Sequence, residues 1–174
     1  KKKKKYFVKS ILTKQNIVKE GGSDYLLPEL FVDVTKNKTK AIDLNGRGIY
    51  NINNKLNDLT GKEWKFATRS VITKVYPPNL QHNLRKQHGG QKPPELCADL
   101  IKIFTKKGAL ILDPLAGVGG TLLGASLCKR KAIGIEINPR WVEIYKQVCK
   151  LEKIEEQEII IGDCKEVMKK FDDN

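Results

Sequence analysis

Three acidic residues, Asp113, Glu136 and Asp163, stand at or just beyond the ends of short aliphatic runs over residues 109–112, 132–137 and 158–161. After the first run comes Asp113-Pro114-Leu115-Ala116-Gly117-Val118-Gly119-Gly120-Thr121. Gly117 and Gly119 let such a loop turn tightly and approach a ligand, because no Cβ stands in the way. Glu136 lies 23 residues beyond Asp113, at a strand tip, where a carboxylate can accept both hydroxyls of a ribose. Three acids around the loop disfavour a pyrophosphate. They suit a ligand with a ribose, an adenine and a positive or zwitterionic remainder, and S-adenosylmethionine has that description. Taken alone, the loop is equally compatible with a nicotinamide dinucleotide site or with a purely structural turn.

The elements that must carry these residues alternate. Residues 96–104 place Leu96, Leu100, Ile103 and Phe104 on one helical face, closed by residues 106–108. A strand over 109–112 enters the glycine loop, and an apolar helix runs on to about residue 128. A second strand over 132–137, a helix over 140–149 and a third strand over 158–161 follow. This order predicts an α/β fold with parallel strands and right-handed crossovers, the first half of a doubly wound sheet. Ligands of such sheets lie beyond the C-terminal strand ends, so Asp113, Glu136 and Asp163 are expected to share one crevice.

The first half of the chain has another character. Of 33 Lys+Arg and 20 Asp+Glu, residues 1–92 hold 20 and 7, whereas residues 93–174 hold 13 and 13. All the net charge of +13 therefore lies outside the segment carrying the three acids, with Lys1–Lys5 supplying five of it. Residues 6–12, 25–34 and 40–44 are β-rich and separated by turn residues, which predicts a small β-containing region. Ile52, Leu56 and Leu59 stand at helical spacing within 49–59, and residues 76–94 have the composition of a loop or linker. Trp64 and Phe66 are expected to pack, Trp141 to be core or close to the ligand, and residues 129–131 to cap a helix C-terminus. Cys97, Cys128, Cys149 and Cys164 form no C-x-x-C pair and are expected to be reduced, mostly buried thiols. His82 and His88, six apart, lack the spacing of a helical metal pair, and no metal is expected. No apolar run has the ~18 residues a spanning helix needs, and no signal-type stretch follows the lysines, so no membrane and a cytoplasmic location are expected.

The full loop string resembles the D-P-F-x-G-x-G-[ST]-T motif of amino-group DNA methyltransferases. Gly134-Ile135-Glu136-Ile137-Asn138-Pro139 is similar to that family's G-I-E-x-[ND] strand end, Lys92-Pro93-Pro94-Glu95-Leu96 to its K-P-x-x-L segment, and Gly162-Asp163-Cys164 to its G-D-x motif. Leu59-Thr60-Gly61-Lys62-Glu63-Trp64 with Thr68-Arg69-Ser70 resembles an L-T-G-K-E-W…T-x-S stretch in members of the family. The resemblance covers roughly residues 55–174. It implies a Rossmann-like class I methyltransferase sheet that binds S-adenosylmethionine through Lys92, Pro93, Asp113, Pro114, Leu115, Ala116, Gly117, Gly119, Thr121, Glu136, Ile137, Asp163 and Cys164. In that reading the K-P-x-x-L segment meets the methionine part and Asp163 faces the adenine amino group. Departures are Leu115 for the usual Phe, Gly120 for the usual Ser or Thr, and Gly89-Gly90 where members often read H-P-A-K.

The resemblance also implies a methyl transfer to adenine N6 or cytosine N4 of double-stranded DNA. An exocyclic amine is a poor nucleophile, and the family meets this with a [DNS]-P-P-[YFW] loop acting on a flipped base. No such tetrapeptide occurs here, and Tyr76-Pro77-Pro78-Asn79 has its polar and aromatic residues reversed. The expectation is a chain that stops about one strand before that loop, binds cofactor weakly and does not transfer methyl groups. It divides into a basic region over 1–54, a linker and pre-motif segment over 55–95 and a cofactor half-domain over 96–174. Arg47, Lys62, Lys65, Arg69, Lys74, Arg85 and Lys86 are the candidates for phosphate contacts. A guanine-N2 tRNA methyltransferase, which Lys62-Glu63-Trp64 argues mildly against, and a non-catalytic nucleic-acid-binding subunit are the rival readings. The sequence does not indicate an oligomeric state.

Overall fold

The computed structural model describes residues 41–171 together with the backbone of 17–20 and 23–26. The run expected over 6–12 and most of that over 25–34 lie outside the described residues. Strand β1 (Ile17–Glu20) pairs antiparallel with β2 (Ser23–Leu26). Strand β3 (Ala41–Asp43) pairs antiparallel with β4 (Ile49–Asn51), which agrees with the β-containing region expected there.

The helical spacing over 49–59 does not become a helix. Asn51, Asn54 and Asn57 side chains accept the backbone N–H groups of Asn53, of Leu56 and Asn57, and of Leu59, at 2.9 to 3.2 Å. These local bonds take the donors a helix would need, so the segment leaves β4 as a series of turns. Asn57, buried, donates its amide to the Ile103 carbonyl at 2.6 Å and ties the turns to the second half of the chain. Helix α1 (Gly61–Ala67) then starts with a capping box, the Thr60 hydroxyl accepting Glu63 N–H and the Glu63 carboxylate accepting Thr60 N–H.

The stretch over 76–94 is more structured than its composition suggested. It holds the short helix α2 (His82–Arg85) and a 3-10 turn over Lys86–His88. Arg85 organises it: 1% exposed, it donates to the carbonyls of Leu80, Asn79 and Lys92. Helix α3 (Pro94–Phe104) follows, its first-turn Pro costing nothing at a position whose N–H has no helical acceptor.

Strands β5 (Leu110–Asp113), β6 (Lys131–Glu136) and β7 (Glu158–Ile161) form a parallel sheet in the order β5-β6-β7, linked by α4 (Gly120–Leu127) and α5 (Pro139–Glu152). The short α6 (Cys164–Met168) comes next. This is the half of a doubly wound parallel sheet that the alternation predicted, and it is consistent with the Rossmann-like sheet that the resemblance implies. Ile111, Ala132 and Ile159 look onto the core with Leu122, Leu123, Ile144, Tyr145 and Val148. On the opposite face Ile135 is fully buried, yet Leu110 and Leu112 are 63% and 43% exposed, which is unusual for parallel strands normally covered on both faces.

Cys97, Cys128 and Cys149 are buried free thiols, with burial pushing each of them up from the ordinary thiol range, and Cys164 is half-buried. The expectation for residues 129–131 holds in Arg130, which donates to the Cys128 carbonyl at 2.6 Å just beyond α4. It also reaches the Thr105 carbonyl at 2.8 Å and Asp58 at 3.2 Å, which ties α4, the end of α3 and the turns before α1 together. Among the described residues no helix is long and apolar enough to cross a membrane.

Candidate functional site

Glu136 and the glycine loop meet at the C-terminal edge of the sheet. Glu136 Oε2 accepts the Gly117 amide at 2.8 Å and Oε1 accepts the Asn138 amide at 2.8 Å. One backbone donor on each oxygen orients the carboxylate and leaves each oxygen a second acceptor direction. Asp113 Oδ1 accepts the Leu115 amide at 3.1 Å and shapes the start of the loop. Asp163 Oδ1 accepts the Lys165 amide at 2.8 Å and caps α6, so the third acid also has a local structural task.

Two glycines of the loop are dictated by packing. Gly119 has φ +75°, and a Cβ there would overlap the Tyr145 ring, which is fully buried behind the loop. Burial pushes the Tyr145 phenol far up, and its oxygen accepts the Gln157 amide at 2.8 Å. A Cβ on Gly120 would lie 3.0 Å from the Lys92 carbonyl oxygen. The hydroxyl residue that the resemblance leads one to expect there is thus replaced where the Lys92 backbone crosses the start of α4.

The crevice over this loop measures about 50 Å³ and is lined by His88, Gly90, Gln91, Lys92, Asp113, Leu115, Ala116, Gly117, Val118, Gly120 and Thr121. It brings together Lys92, Asp113, Leu115, Ala116, Gly117 and Thr121 of the residues expected from the sequence. Gly119 lies behind it, and Glu136 reaches it through Gly117. Pro93, Pro114, Ile137, Asp163 and Cys164 are not in its wall. Leu115 and Ile137 are 77% and 68% exposed, apolar side chains held in solvent beside the loop. Gly119, having no side chain, supplies no cap to the first-turn amides of helix α4.

His88, which lacks the spacing of a metal ligand, and Gln91 stand in a segment of linker composition, so nothing in their pattern marks them as lining residues. Their signal was proximity, since they immediately precede Lys92-Pro93. Trp141, on the first turn of α5, is half-buried and meets the His88 ring edge-on at 5.0 Å, which agrees with a place near the crevice. No group of three or more His, Cys, Asp or Glu among the described residues could hold a metal ion.

The basic candidates divide. Arg85 is withdrawn as a phosphate contact, because it is buried and its donors serve three carbonyls. Arg47 forms a two-pronged pair with Glu63 at 2.7 and 3.0 Å, Lys62 donates to the Gly46 carbonyl at 3.1 Å, and Lys74 pairs with Asp99 at 2.5 Å. Lys65 and Lys86 are exposed, and Arg69, also exposed, lies over the Phe66 ring at 4.5 Å. Trp64 and Phe66 do not pack as anchors, being 39% and 54% exposed.

A family model described as DNA methylase, of the N6/N4 type, matches residues 1–147. The chain belongs to this family. Among curated members, it is 34% identical over 89 residues to the type II methyltransferase M.BglI of Bacillus subtilis, covering 51% of this chain and 24% of that protein. It is 32% identical over 98 residues to the type II methyltransferase M2.DpnII of Streptococcus pneumoniae, covering 56% and 34%. The chain thus spans about a quarter to a third of these methylases. A structure of TTHA0409 from Thermus thermophilus with S-adenosyl-L-methionine is 24% identical, covers 54% of this chain and 46% of that one, and superposes with a TM-score of 0.37.

Proposed function

We propose that the chain is the cofactor-binding half of an S-adenosylmethionine-dependent methyltransferase acting on adenine N6 or cytosine N4 of double-stranded DNA. The observation that carries this reading is the Glu136 carboxylate, held at a strand tip by one backbone amide per oxygen and joined to the loop at Gly117. Its remaining acceptor directions suit a ribose diol. Lys92 and the uncapped amides of α4 suit the cofactor's carboxylate, and Asp113 its ammonium. Asp163 suits the adenine amino group, and Leu115 offers an apolar wall.

When bound, S-adenosylmethionine supplies an electrophilic methyl group on its sulfonium. The residues of this chain orient that group, and the chain itself contains no [DNS]-P-P-[YFW] tetrapeptide for the target amine. The exposed Leu110 and Leu112 on one sheet face support a further layer of protein there. Of the candidate cations, Lys65, Arg69 and Lys86 are exposed and suit contacts with phosphates. The division into a basic region over 1–54, a connecting segment over 55–95 and a cofactor half-domain over 96–174 belongs to the same proposal.

Titration calorimetry with S-adenosylhomocysteine tests the cofactor reading. Binding by the parent protein, weakened at least about tenfold in Glu136→Ala, is expected. Absence of binding, or equal binding by both, overturns it.

A further inference from the structure

The crevice of about 50 Å³ over the glycine loop has room for a few waters, and His88 is one of the side chains that line it. Its Nε2 lies 3.1 Å from the position a Cβ on Gly117 would take, so the imidazole rests directly on the loop. The ring also meets Trp141 edge-on, at 5.0 Å. The preceding residue is tied to the same helix turn, with Arg140 donating to Gln87 Oε1 at 3.2 Å and its guanidinium lying 5.1 Å over the Trp141 ring.

Resting in this position has a cost. His88 Nδ1 and Gln91 Oε1 are buried without partners among the described residues. A movement that exposes or pairs these atoms would relieve the cost of burying them unpaired. The segment is also built to move. Gly89 has φ +76° with open space around its Cβ position, and the nearest atoms to a Cβ on Gly90 belong to the His88 ring itself, at 3.7 Å. Neither glycine is required by close packing against another element, and the pair stands where the resembling family often has a proline.

We propose that His88 is the gate of the crevice. Its ring fills the space over Gly117 and swings outward on Gly89-Gly90, breaking the edge contact with Trp141, when the amino-acid end of the cofactor enters. This inference rests on the cofactor reading above and adds to it a residue that controls access. A binding-competent state held to about a tenth of the population lowers the apparent affinity about tenfold.

The test is stopped-flow tryptophan fluorescence with S-adenosylhomocysteine, run beside calorimetry on the full-length protein and its His88→Ala, Arg140→Ala and Trp141→Phe variants. Expected are a fluorescence change in the parent that Trp141→Phe removes, and association about tenfold faster in His88→Ala. Arg140→Ala, which frees Gln87 and leaves the imidazole in place, should quicken association by a smaller factor. Heat of binding with a silent Trp141, or with association rates equal within twofold in parent, His88→Ala and Arg140→Ala, overturns the gate and leaves the cofactor reading standing. No heat of binding in any variant overturns both.

Discussion

Glu136 accepts the backbone amide of Gly117 at 2.8 Å, so the acid at the end of β6 holds the loop at the end of β5. The same carboxylate accepts Asn138 N–H and sets the start of α5. A residue that the resemblance assigns to ribose recognition is therefore also the clasp of the glycine loop.

Glu136→Gln is the sharper test of that double role. An amide has only one acceptor oxygen, so its NH₂ must face either the Gly117 or the Asn138 amide, donor against donor. Affinity for S-adenosylhomocysteine should fall about 10- to 100-fold. Amide exchange at Gly117 should quicken as well, which loss of a ribose contact alone would not cause.

Gly120→Ser restores the residue type usual in the family, yet it should weaken cofactor binding. The new Cβ would press at 3.0 Å on the Lys92 carbonyl oxygen, a backbone atom that Arg85 also holds at 3.3 Å. Displacing Lys92 disturbs one wall of the crevice, and calorimetry should show a higher Kd with a lower Tm.

Acid should loosen the first half of the structure through Glu63. Burial acts to raise this carboxyl, but hydrogen bonds from Arg47 and Thr60 and the Arg47 charge outweigh it, leaving it below its ordinary value of 4.5. A carboxyl depressed on folding contributes stability that is present above about pH 4.5 and lost as pH falls through the lower folded value. Glu63→Gln should flatten the acid limb of a Tm-against-pH curve in that window. Thr60→Ala should remove about 1 kcal/mol at neutral pH as well, since it deletes the cap itself.

Asp58→Ala should destabilise the fold by roughly 1–3 kcal/mol in urea unfolding. Arg130, 7% exposed, would lose its charge partner at 3.2 Å, and the Lys107 amide would lose its acceptor at 2.8 Å. Asp58→Asn, which keeps one oxygen acceptor, should cost less.

If Lys65, Arg69 and Lys86 meet phosphates, replacing the three with Gln should reduce the slope of log K against log salt by up to ~0.9 for each phosphate no longer neutralised, with Tm nearly unchanged. Arg85→Gln should do the reverse, lowering Tm because three carbonyls lose their donor. A slope unaltered by the triple replacement would remove this surface from the proposed interface.

Much was legible in the residues. The alternation of aliphatic runs and amphipathic stretches is a local signal, and it specified three parallel strands with their helices to within about two or three residues. The acids Asp113, Glu136 and Asp163 could be placed at one sheet edge because strand ends of such sheets converge. Three decisions belonged to the tertiary structure. The segment carrying Ile52, Leu56 and Leu59 runs as turns that Asn57 anchors to the Ile103 carbonyl, 46 residues away, a bond no periodicity records. Arg85 reads as a surface cation but is buried against three carbonyls, since charge carries no information about depth. His88 came to rest on Gly117 only through folding, because residues 29 apart in the chain meet when the segment before α3 crosses the mouth of the sheet. Local patterning determined the elements and the chemical types at their ends, and packing between distant segments decided which side chains face the ligand and which hold the walls.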